Sequence, residues 1–193
     1  MKFIAPSWSS IFSQTVDLAQ KIRYDENELK NPRSDAIVGV SRGGLVLARL
    51  MSDLLDIDNV LVTKSEYYTG MGKRNTKPQI TQEIQKDISD YNVLLVDDVS
   101  DTGESLVIIK DHILSKRPRN LTVATLYLKP WSKSLPDYFV SKTAAWIVFP
   151  WEYYESWKLL KSKGGSALVS RSGIPKGVIE RLKRFDEISK IKK

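Results

Sequence analysis

Short apolar runs alternate with helix-forming segments along most of this chain. Runs without alternating polar residues are typical of strands that are buried on both faces of a sheet, and they occupy residues 36–40, 60–63, 91–96, 121–128 and 144–149. Helical patterns cover residues 9–24, 45–55 and a stretch that ends near residue 115. The alternation predicts an α/β protein with a doubly wound parallel sheet that is flanked by helices.

Two unusual segments directly follow predicted strands. One is the SRGG turn, which consists of Ser41, Arg42, Gly43 and Gly44, and the other is the sequence DDVSDTGES at residues 97–105. In doubly wound sheets, ligands bind just beyond the carboxyl ends of the strands. We therefore expect both segments to lie at the ligand-binding edge of the sheet.

The DTGES turn, residues 101–105, has the features of a phosphate-binding helix start. Gly103 lets the backbone approach a ligand closely, and the amides that follow are the unpaired donors of a helix N-terminus. Thr102 and Ser105 add hydroxyl donors. Because the segment lacks the lysine of a P-loop, it predicts a phosphate site of the helix-terminus and nest type.

A pair of acids precedes this turn. Asp97 and Asp98 stand at the end of a predicted buried strand, where adjacent carboxylates repel each other and are costly to bury. Acids beside a phosphate site suit ribose hydroxyls and a hydrated Mg²⁺, since this hard cation prefers oxygen ligands. The pair therefore predicts a magnesium-dependent site for a sugar phosphate.

The order of apolar strand, two acids, two further residues and DTGES resembles the phosphoribosyl pyrophosphate motif of type I phosphoribosyltransferases. The resemblance implies that Asp97 and Asp98 bind ribose hydroxyls and organise Mg²⁺. It further implies that the 5-phosphate is held by Asp101, Thr102, Gly103, Glu104 and Ser105. Asp101 would also lie near N7 of the base, where a carboxylate with a raised pKa can act as the general base.

Two more segments resemble parts of the same family. The SRGG turn is similar to its pyrophosphate loop, in which Arg42 supplies positive charge to the leaving group. Residues 64–80 show no clear hydrophobic period, so they predict a long mobile loop. This segment is similar to the flexible loop that closes over the transition state and excludes water. Its candidates for contact with the diphosphate are Lys64, Tyr67 and Tyr68.

The segments LKPW, residues 128–131, and WIVFPWE, residues 146–152, resemble the base-reading parts of xanthine–guanine and hypoxanthine–guanine enzymes. The resemblance implies a small hood, stacking of Trp146 on the purine and reading of the base edge by the main chain of Ile147 and Val148. Lys129 would donate to O6 of a 6-oxopurine, and Glu152 would assist a second Mg²⁺. The implied activity is a glycosyltransferase of purine salvage, which acts as a homodimer.

The choice of base stays open at this stage. An ammonium such as that of Lys129 donates to a carbonyl and cannot accept from the 6-amino group of adenine, which favours hypoxanthine, guanine or xanthine. A lysine can also turn away and leave the backbone to read adenine. An adenine phosphoribosyltransferase on the same scaffold is therefore the alternative.

The charge of the chain is unevenly divided. Residues 1–152 are formally neutral, whereas residues 153–193 hold 11 basic and 4 acidic residues and carry the whole net charge of +7. The shift predicts a phosphoribosyltransferase domain at 1–152 and a basic helical C-terminal module at 153–193.

Residues 164–185 predict a helix, a tight turn at Ser172-Gly173 and a second helix from near Pro175. This spacing resembles a helix-turn-helix, and the basic charge suits nucleic acid. A transcriptional regulator that senses phosphoribosyl pyrophosphate is therefore the alternative of another class. We favour a helical extension that caps the hood or supports dimerisation, and a regulatory nucleotide surface is a third interpretation.

The chain has no cysteine, so disulfides and thiolate metal sites are excluded. The apolar runs are too short for a membrane span, and the first residues do not have the apolar core of a signal peptide. We expect a cytoplasmic protein.

Overall fold

The computed structural model describes residues 2–28, 31–70 and 73–191. Five α-helices and eight strands are described, and they are named in chain order: β1 (Phe3–Ile4), α1 (Trp8–Glu28), β2 (Ala36–Val40), α2 (Gly44–Leu55), β3 (Val60–Gly70), β4 (Lys73–Gln82), β5 (Asn92–Ser100), α3 (Glu104–Ser115), β6 (Asn120–Leu128), β7 (Tyr138–Lys142), β8 (Trp146–Ile147), α4 (Tyr153–Arg171) and α5 (Lys176–Ile191). The chain forms two compact units, residues 12–143 and residues 1–11 with 144–193.

The larger unit is built on a six-stranded sheet in the order β4-β3-β2-β5-β6-β7. Neighbouring strands from β3 to β7 are parallel, and β4 alone runs antiparallel to its neighbour β3. The registers pair Val38 with Leu61 and with Leu95, which places apolar side chains of three strands in one row across the sheet. The parallel α/β fold that the sequence predicts, with flanking helices, is thereby confirmed.

The core of this unit follows from the strand composition. All five residues of β2 and the first five of β5 are buried, as expected of strands covered on both faces. Helix α3 adds Leu106, Ile109 and Ile113 to the same core. Each buried side chain of this size contributes about 1.5–3 kcal/mol relative to its exposed state, so this core holds the carboxyl ends of β2 and β5 in place.

Residues 64–80 differ from the predicted loop. The described part of the segment lies within β3 and β4, a long antiparallel pair in which Glu66 is opposite Gln79 and Tyr67 is opposite Pro78. A two-stranded ribbon satisfies its backbone by cross-strand hydrogen bonds and needs no apolar period. Proline is accommodated because β4 is an edge strand. The described part of the segment is therefore strand where the sequence predicted a loop, and its mobility and its closure over the site stay predictions.

The fifth predicted strand is also corrected. Residues 144–149 yield the two-residue strand β8, which pairs in parallel with β1 in a separate two-stranded sheet. The sixth position of the main sheet is taken by β7, whose half-buried residues gave no continuous apolar run. Helix α1 is longer than predicted and continues through the polar residues up to Glu28.

The smaller unit contains β1, β8, α4 and α5. Helix α4 is interrupted at Gly164 and Gly165, where the backbone leaves helical geometry, and α5 follows a turn at Gly173, whose φ is 81°. A core cluster joins Val148 to Trp157, Leu160, Val169 and Ile174 of the C-terminal helices and the turn between them. Because this core includes the end of the β8 segment, the boundary between the compact units lies near residue 144, whereas the charge pattern placed it at 152.

Among the helices in the described ranges, none combines the length and the apolar character that crossing a bilayer requires.

Candidate active site

The centre of the sheet contains a topological switch point. Strand β2 has β3 on one side and β5 on the other, and the helices that follow β2 and β5 start at the same edge of the sheet. The SRGG turn follows β2, and the DTGES turn follows β5. Ligands of open α/β sheets bind in the crevice outside such a switch point.

The acid pair lies directly against the SRGG turn. A Cβ atom at Gly43 would overlap the Asp98 carboxylate, and a Cβ at Gly44 would lie 2.6 Å from the carbonyl oxygen of Val96. Glycine is therefore required for this close approach of two turns. Asp98 is buried at 7% exposure, Asp97 is half-buried and accepts from the Asp98 amide at 3.0 Å, and Arg42 is exposed. The peptide bond between Ser41 and Arg42 is cis.

The DTGES turn leads into α3 through a left-handed residue. Gly103 has a φ of 79°, and a Cβ there would lie 2.5 Å from the amide nitrogen of Ser134. The Glu104 amide donates to the hydroxyl of Thr102 at 3.3 Å. Asp101 and Thr102 are exposed, and Ser105 is half-buried in the first turn of α3. The N-terminus of this helix is therefore accessible to an anion.

The loop that follows β6, residues 129–134 (the 129–134 loop), supports the DTGES turn. The sequence pattern assigned the first residues of this loop to base reading alone. The Lys133 amide donates to the carbonyl of Thr102 at 2.9 Å, and the Lys129 amide donates to that of Ser100 at 3.0 Å. The Ser100 and Ser132 hydroxyls lie 2.7 Å apart. Serines and lysines in a polar loop carry no sequence signal for such contacts.

Glu104 connects three elements. Its carboxylate accepts from the Tyr67 hydroxyl of β3 at 2.6 Å and from the Lys133 ammonium at 2.8 Å. These bonds raise the pKa of the tyrosine and that of the lysine. Lys64, the other loop candidate, pairs with Glu66 at 2.7 Å, and this pairing lowers the pKa of Glu66. The side chain of Tyr68 lies outside the described part of the chain. The diphosphate contacts remain predictions.

Lys129, Trp131 and Asp101 form a group beside the DTGES turn. The Trp131 indole N–H donates to Oδ1 of Asp101 at 2.9 Å. Lys129 is 6% exposed, and its Nζ lies 5.6 Å from the centroid of the Trp131 ring. Burial lowers the pKa of Lys129, although the charge of Asp101 opposes that effect. The candidate base-reading donor and the candidate proton acceptor are thus brought together.

The other base candidates belong to the smaller unit. The amides of Trp146 and Val148 donate to the carbonyls of Lys2 and Ile4 at 2.8 and 2.9 Å. The Val148 amide is therefore engaged by the segment of β1 within the smaller unit. Ile147 and Val148 are buried, whereas Trp146 and Glu152 are half-buried. The roles given to these four residues remain predictions.

The acid pair fits a hydrated Mg²⁺. Within the described ranges, no cluster of three or more histidine, cysteine or acidic residues is arranged around a metal position. Mg²⁺ does not require three protein ligands, because it is usually held by one or two carboxylates together with waters and substrate phosphates. Asp97 and Asp98 supply these carboxylates beside the two turns.

A parallel α/β sheet with an acid pair and a glycine-containing helix start at its switch point defines a protein that binds phosphorylated ligands. The chain belongs to the phosphoribosyl transferase domain family, whose model matches residues 7–156, and within that family to the purine phosphoribosyltransferases.

Three similar proteins support this assignment. The chain is 30% identical to the xanthine-guanine phosphoribosyltransferase of Cereibacter sphaeroides over 150 residues, which cover 76% of this chain and 84% of the relative. The purine phosphoribosyltransferase from Pyrococcus horikoshii Ot3 is 37% identical, with a TM-score of 0.69 over 78% of this chain and 95% of that one. The Helicobacter pylori xanthine-guanine-hypoxanthine phosphoribosyltransferase is 26% identical, with a TM-score of 0.63 over 82% and 97%.

Proposed function

We propose that this protein transfers the 5-phosphoribosyl group of phosphoribosyl pyrophosphate to N9 of a 6-oxopurine and releases pyrophosphate. The observation that carries the proposal is the contact of the buried Asp98 carboxylate with Gly43. This contact joins the acid pair to the SRGG turn, and the DTGES turn follows the acid pair along the chain at the same edge of the sheet. One substrate that carries a ribose, a 5-phosphate and a pyrophosphate would engage all three.

Different residues bind different parts of the substrate. Asp97 and Asp98 hold the ribose hydroxyls, the amides and hydroxyls of the DTGES turn hold the 5-phosphate, and the SRGG turn holds the pyrophosphate. Mg²⁺, when bound by the acid pair, neutralises charge on the leaving group. Catalysis then rests on positioning and electrostatics, and no covalent nucleophile takes part.

The proton balance assigns a role to Asp101. As N9 forms a bond to C1′, the bond between C1′ and the pyrophosphate oxygen breaks and its electrons leave with pyrophosphate. The N7–H bond breaks as well, and its electrons stay on the purine. The proton passes to a carboxylate oxygen of Asp101, which lies at the open side of the DTGES turn. Lys129 donates to O6 of the same base, and Trp146 stacks on its ring. The buried position of Lys129 supports this assignment, because a site built to hydrogen-bond a substrate group discriminates strongly against a base that lacks the matching group.

The C-terminal helices favour an enzyme over a regulator. Trp157, Leu160, Val169 and Ile174 pack on Val148 of the base-reading segment, so their apolar faces serve the smaller unit. A nucleic-acid-binding module with its own core would not need this contact. We propose that the helices support the base-reading segment, and we expect a homodimer in the cytoplasm.

The test is an assay of pyrophosphate release with phosphoribosyl pyrophosphate, Mg²⁺ and, separately, hypoxanthine, guanine, xanthine, adenine and orotate. We expect turnover of 6-oxopurines. Lys129→Ala should lower kcat/KM for them by about 10–100-fold, as expected for a lost hydrogen bond from a charged donor. The exposed Lys142 of β7 provides the control, and Lys142→Ala should behave as the unaltered protein.

Turnover of adenine alone would contradict the role of Lys129 and leave the transfer mechanism intact. Retained binding of phosphoribosyl pyrophosphate without turnover of any base would contradict the enzymatic proposal and favour the regulator.

A further inference from the structure

We propose that Trp131 is a positioning residue for Asp101, and that its indole N–H fixes Oδ1 of this carboxylate so that the other oxygen is presented to the purine. The inference rests on the proposed function, because it concerns how the proton acceptor of that reaction is held. Trp131 acts through Asp101 and has no proton to take or give in the reaction itself.

The hydrogen bond has the geometry of a strong interaction. Nε1 of Trp131 lies 2.9 Å from Oδ1 of Asp101, and indole nitrogen is exclusively a donor. A bond to an ionised acceptor is roughly twice as strong as one between neutral groups. Asp101 is exposed, so a carboxylate without this bond would sample several rotamers in water.

Packing does not account for the tryptophan. Trp131 is 54% exposed, so more than half of its surface stays in water and gains nothing from burial. A large aromatic ring in this position leaves apolar surface exposed to water, which is unfavourable. Its N–H is the one polar group that a phenylalanine in the same position would lack. The position is therefore explained by the bond to Asp101.

The backbone on both sides of Trp131 is anchored to the segment that carries Asp101. The Lys129 amide donates to the Ser100 carbonyl at 3.0 Å, the Ser132 amide donates to the Lys129 carbonyl at 3.0 Å, and the Lys133 amide donates to the Thr102 carbonyl at 2.9 Å. The indole is thus carried by a turn that is tied to the residues immediately before and after Asp101. Such a rigid support is what a positioned catalytic group requires.

The hydrogen bond between Trp131 and Asp101 also affects how Asp101 interacts with Lys129. Its Nζ lies 5.6 Å from the centroid of the Trp131 ring, and its ammonium is attracted electrostatically to Asp101. The indole N–H competes with the ammonium for the carboxylate. Loss of this competitor would let Asp101 turn towards Lys129, which would engage the proton acceptor and the O6 donor with each other. Removal of the N–H should therefore reduce kcat more than it changes the KM for phosphoribosyl pyrophosphate.

The test compares Trp131→Phe, Asp101→Asn and the double variant in the full-length protein. We expect Trp131→Phe to lower kcat by about 10-fold, a typical part of a general-base contribution, with the KM for phosphoribosyl pyrophosphate within about 2-fold. In the Asp101→Asn background, the further substitution Trp131→Phe should have no effect on kcat.

Leu135→Ala is the matched control, because Leu135 is 69% exposed and follows the 129–134 loop directly. It should leave kcat unchanged. An independent readout is the Trp131 indole ¹⁵N–¹H resonance, whose chemical shift in Asp101→Asn should differ from that in the unaltered protein, because the ionised acceptor of the indole N–H is removed.

The results distinguish a failure of the role given to Trp131 from a failure of the role given to Asp101. A Trp131→Phe variant with unaltered kcat, beside an impaired Asp101→Asn, would overturn the inference alone. Full persistence of the Trp131→Phe effect in the Asp101→Asn background would also overturn it. An Asp101→Asn variant as active as the unaltered protein would overturn the role given to Asp101, and the inference with it.

Discussion

At Gly43, the absence of a side chain decides whether the acid pair can reach the SRGG turn. The ideal Cβ position there coincides with the Asp98 carboxylate, and Asp98 is buried at 7% exposure. Because its surroundings are packed, the carboxylate has little room to retreat. The requirement for glycine at this residue is thus one of contact and does not come from its φ angle, which is −62°.

Gly43→Ala should therefore displace the Asp98 carboxylate and weaken the binding of phosphoribosyl pyrophosphate. We expect the Kd, measured calorimetrically with Mg²⁺ present, to rise by at least about 10-fold, which corresponds to about 1.4 kcal/mol. Gly177→Ala is the control: its Cβ would meet nothing within 4 Å, and alanine in helix α5 should add up to about 1 kcal/mol of stability. Equal Kd values for the two variants would contradict the assigned contact.

At the scale of the elements, β7 is attached to α1 by a hydrogen bond that is partly shielded from water. The Tyr138 hydroxyl donates to Oδ2 of Asp25 at 2.7 Å. Burial, and then the hydrogen bond and charge of Asp25, raise the pKa of Tyr138 to about 12 from an ordinary value of 10.0. The edge strand that the sequence did not reveal is therefore secured to the first helix by a tyrosine that must stay protonated.

This bond makes stability depend on alkaline pH. A raised pKa in the folded state stabilises the protonated phenol, so the contribution is complete below about pH 10 and is lost as the pH rises through about 12. After allowance for solvent screening, the loss should be on the order of 1–2 kcal/mol. Urea unfolding of unaltered protein and Tyr138→Phe at pH 8.5 and 11.5 measures it, and Tyr138→Phe should lack this component of the pH dependence.

Tyr24→Phe provides the comparison, since Tyr24 is 62% exposed on α1. If Tyr138→Phe and Tyr24→Phe lost the same free energy of unfolding between pH 8.5 and 11.5, the hydrogen bond to Asp25 would not determine the pH dependence.

At the scale of the whole molecule, the C-terminal helices complete the core of the smaller unit. The family model ends at residue 156, yet Trp157 begins the part of the core that covers Val148. Trp157 is 2% exposed and stacks on Tyr154 with a centroid distance of 6.0 Å. The extension therefore stabilises the last part of the matched domain, which contains Val148.

Trp157→Ala should lower the free energy of unfolding by about 3–5 kcal/mol, as expected for a large core aromatic residue. Hydrogen exchange at the Val148 amide, which donates to Ile4 at 2.9 Å, should accelerate with it. Ile188→Ala is the control from the same module, because Ile188 is 62% exposed. Rapid hydrogen exchange at the Val148 amide in the unaltered protein would contradict this supporting role. An exchange rate in Trp157→Ala equal to that of the unaltered protein would contradict it as well.

Much of the architecture could be read from local patterns. The apolar run at residues 36–40 has the same bounds as β2, because a strand buried on both faces shows as an unbroken apolar run. The DTGES turn was found for a similar reason, since a left-handed Gly103 and a helix start are requirements of adjacent residues. The family resemblance came from the same short segment.

The partners of those segments were decided by the tertiary structure. Three features each join residues that are far apart in sequence or that have no distinctive local pattern. They are the pairing of β3 with β4, the addition of β7 to the sheet and the hydrogen bond between Trp131 and Asp101. Polar ribbons and single hydrogen bonds leave no periodic signal, because their energy comes from contact between segments. The sequence alone determined which local structures form and what chemistry they carry, whereas the fold determined which side chains hold that chemistry in position.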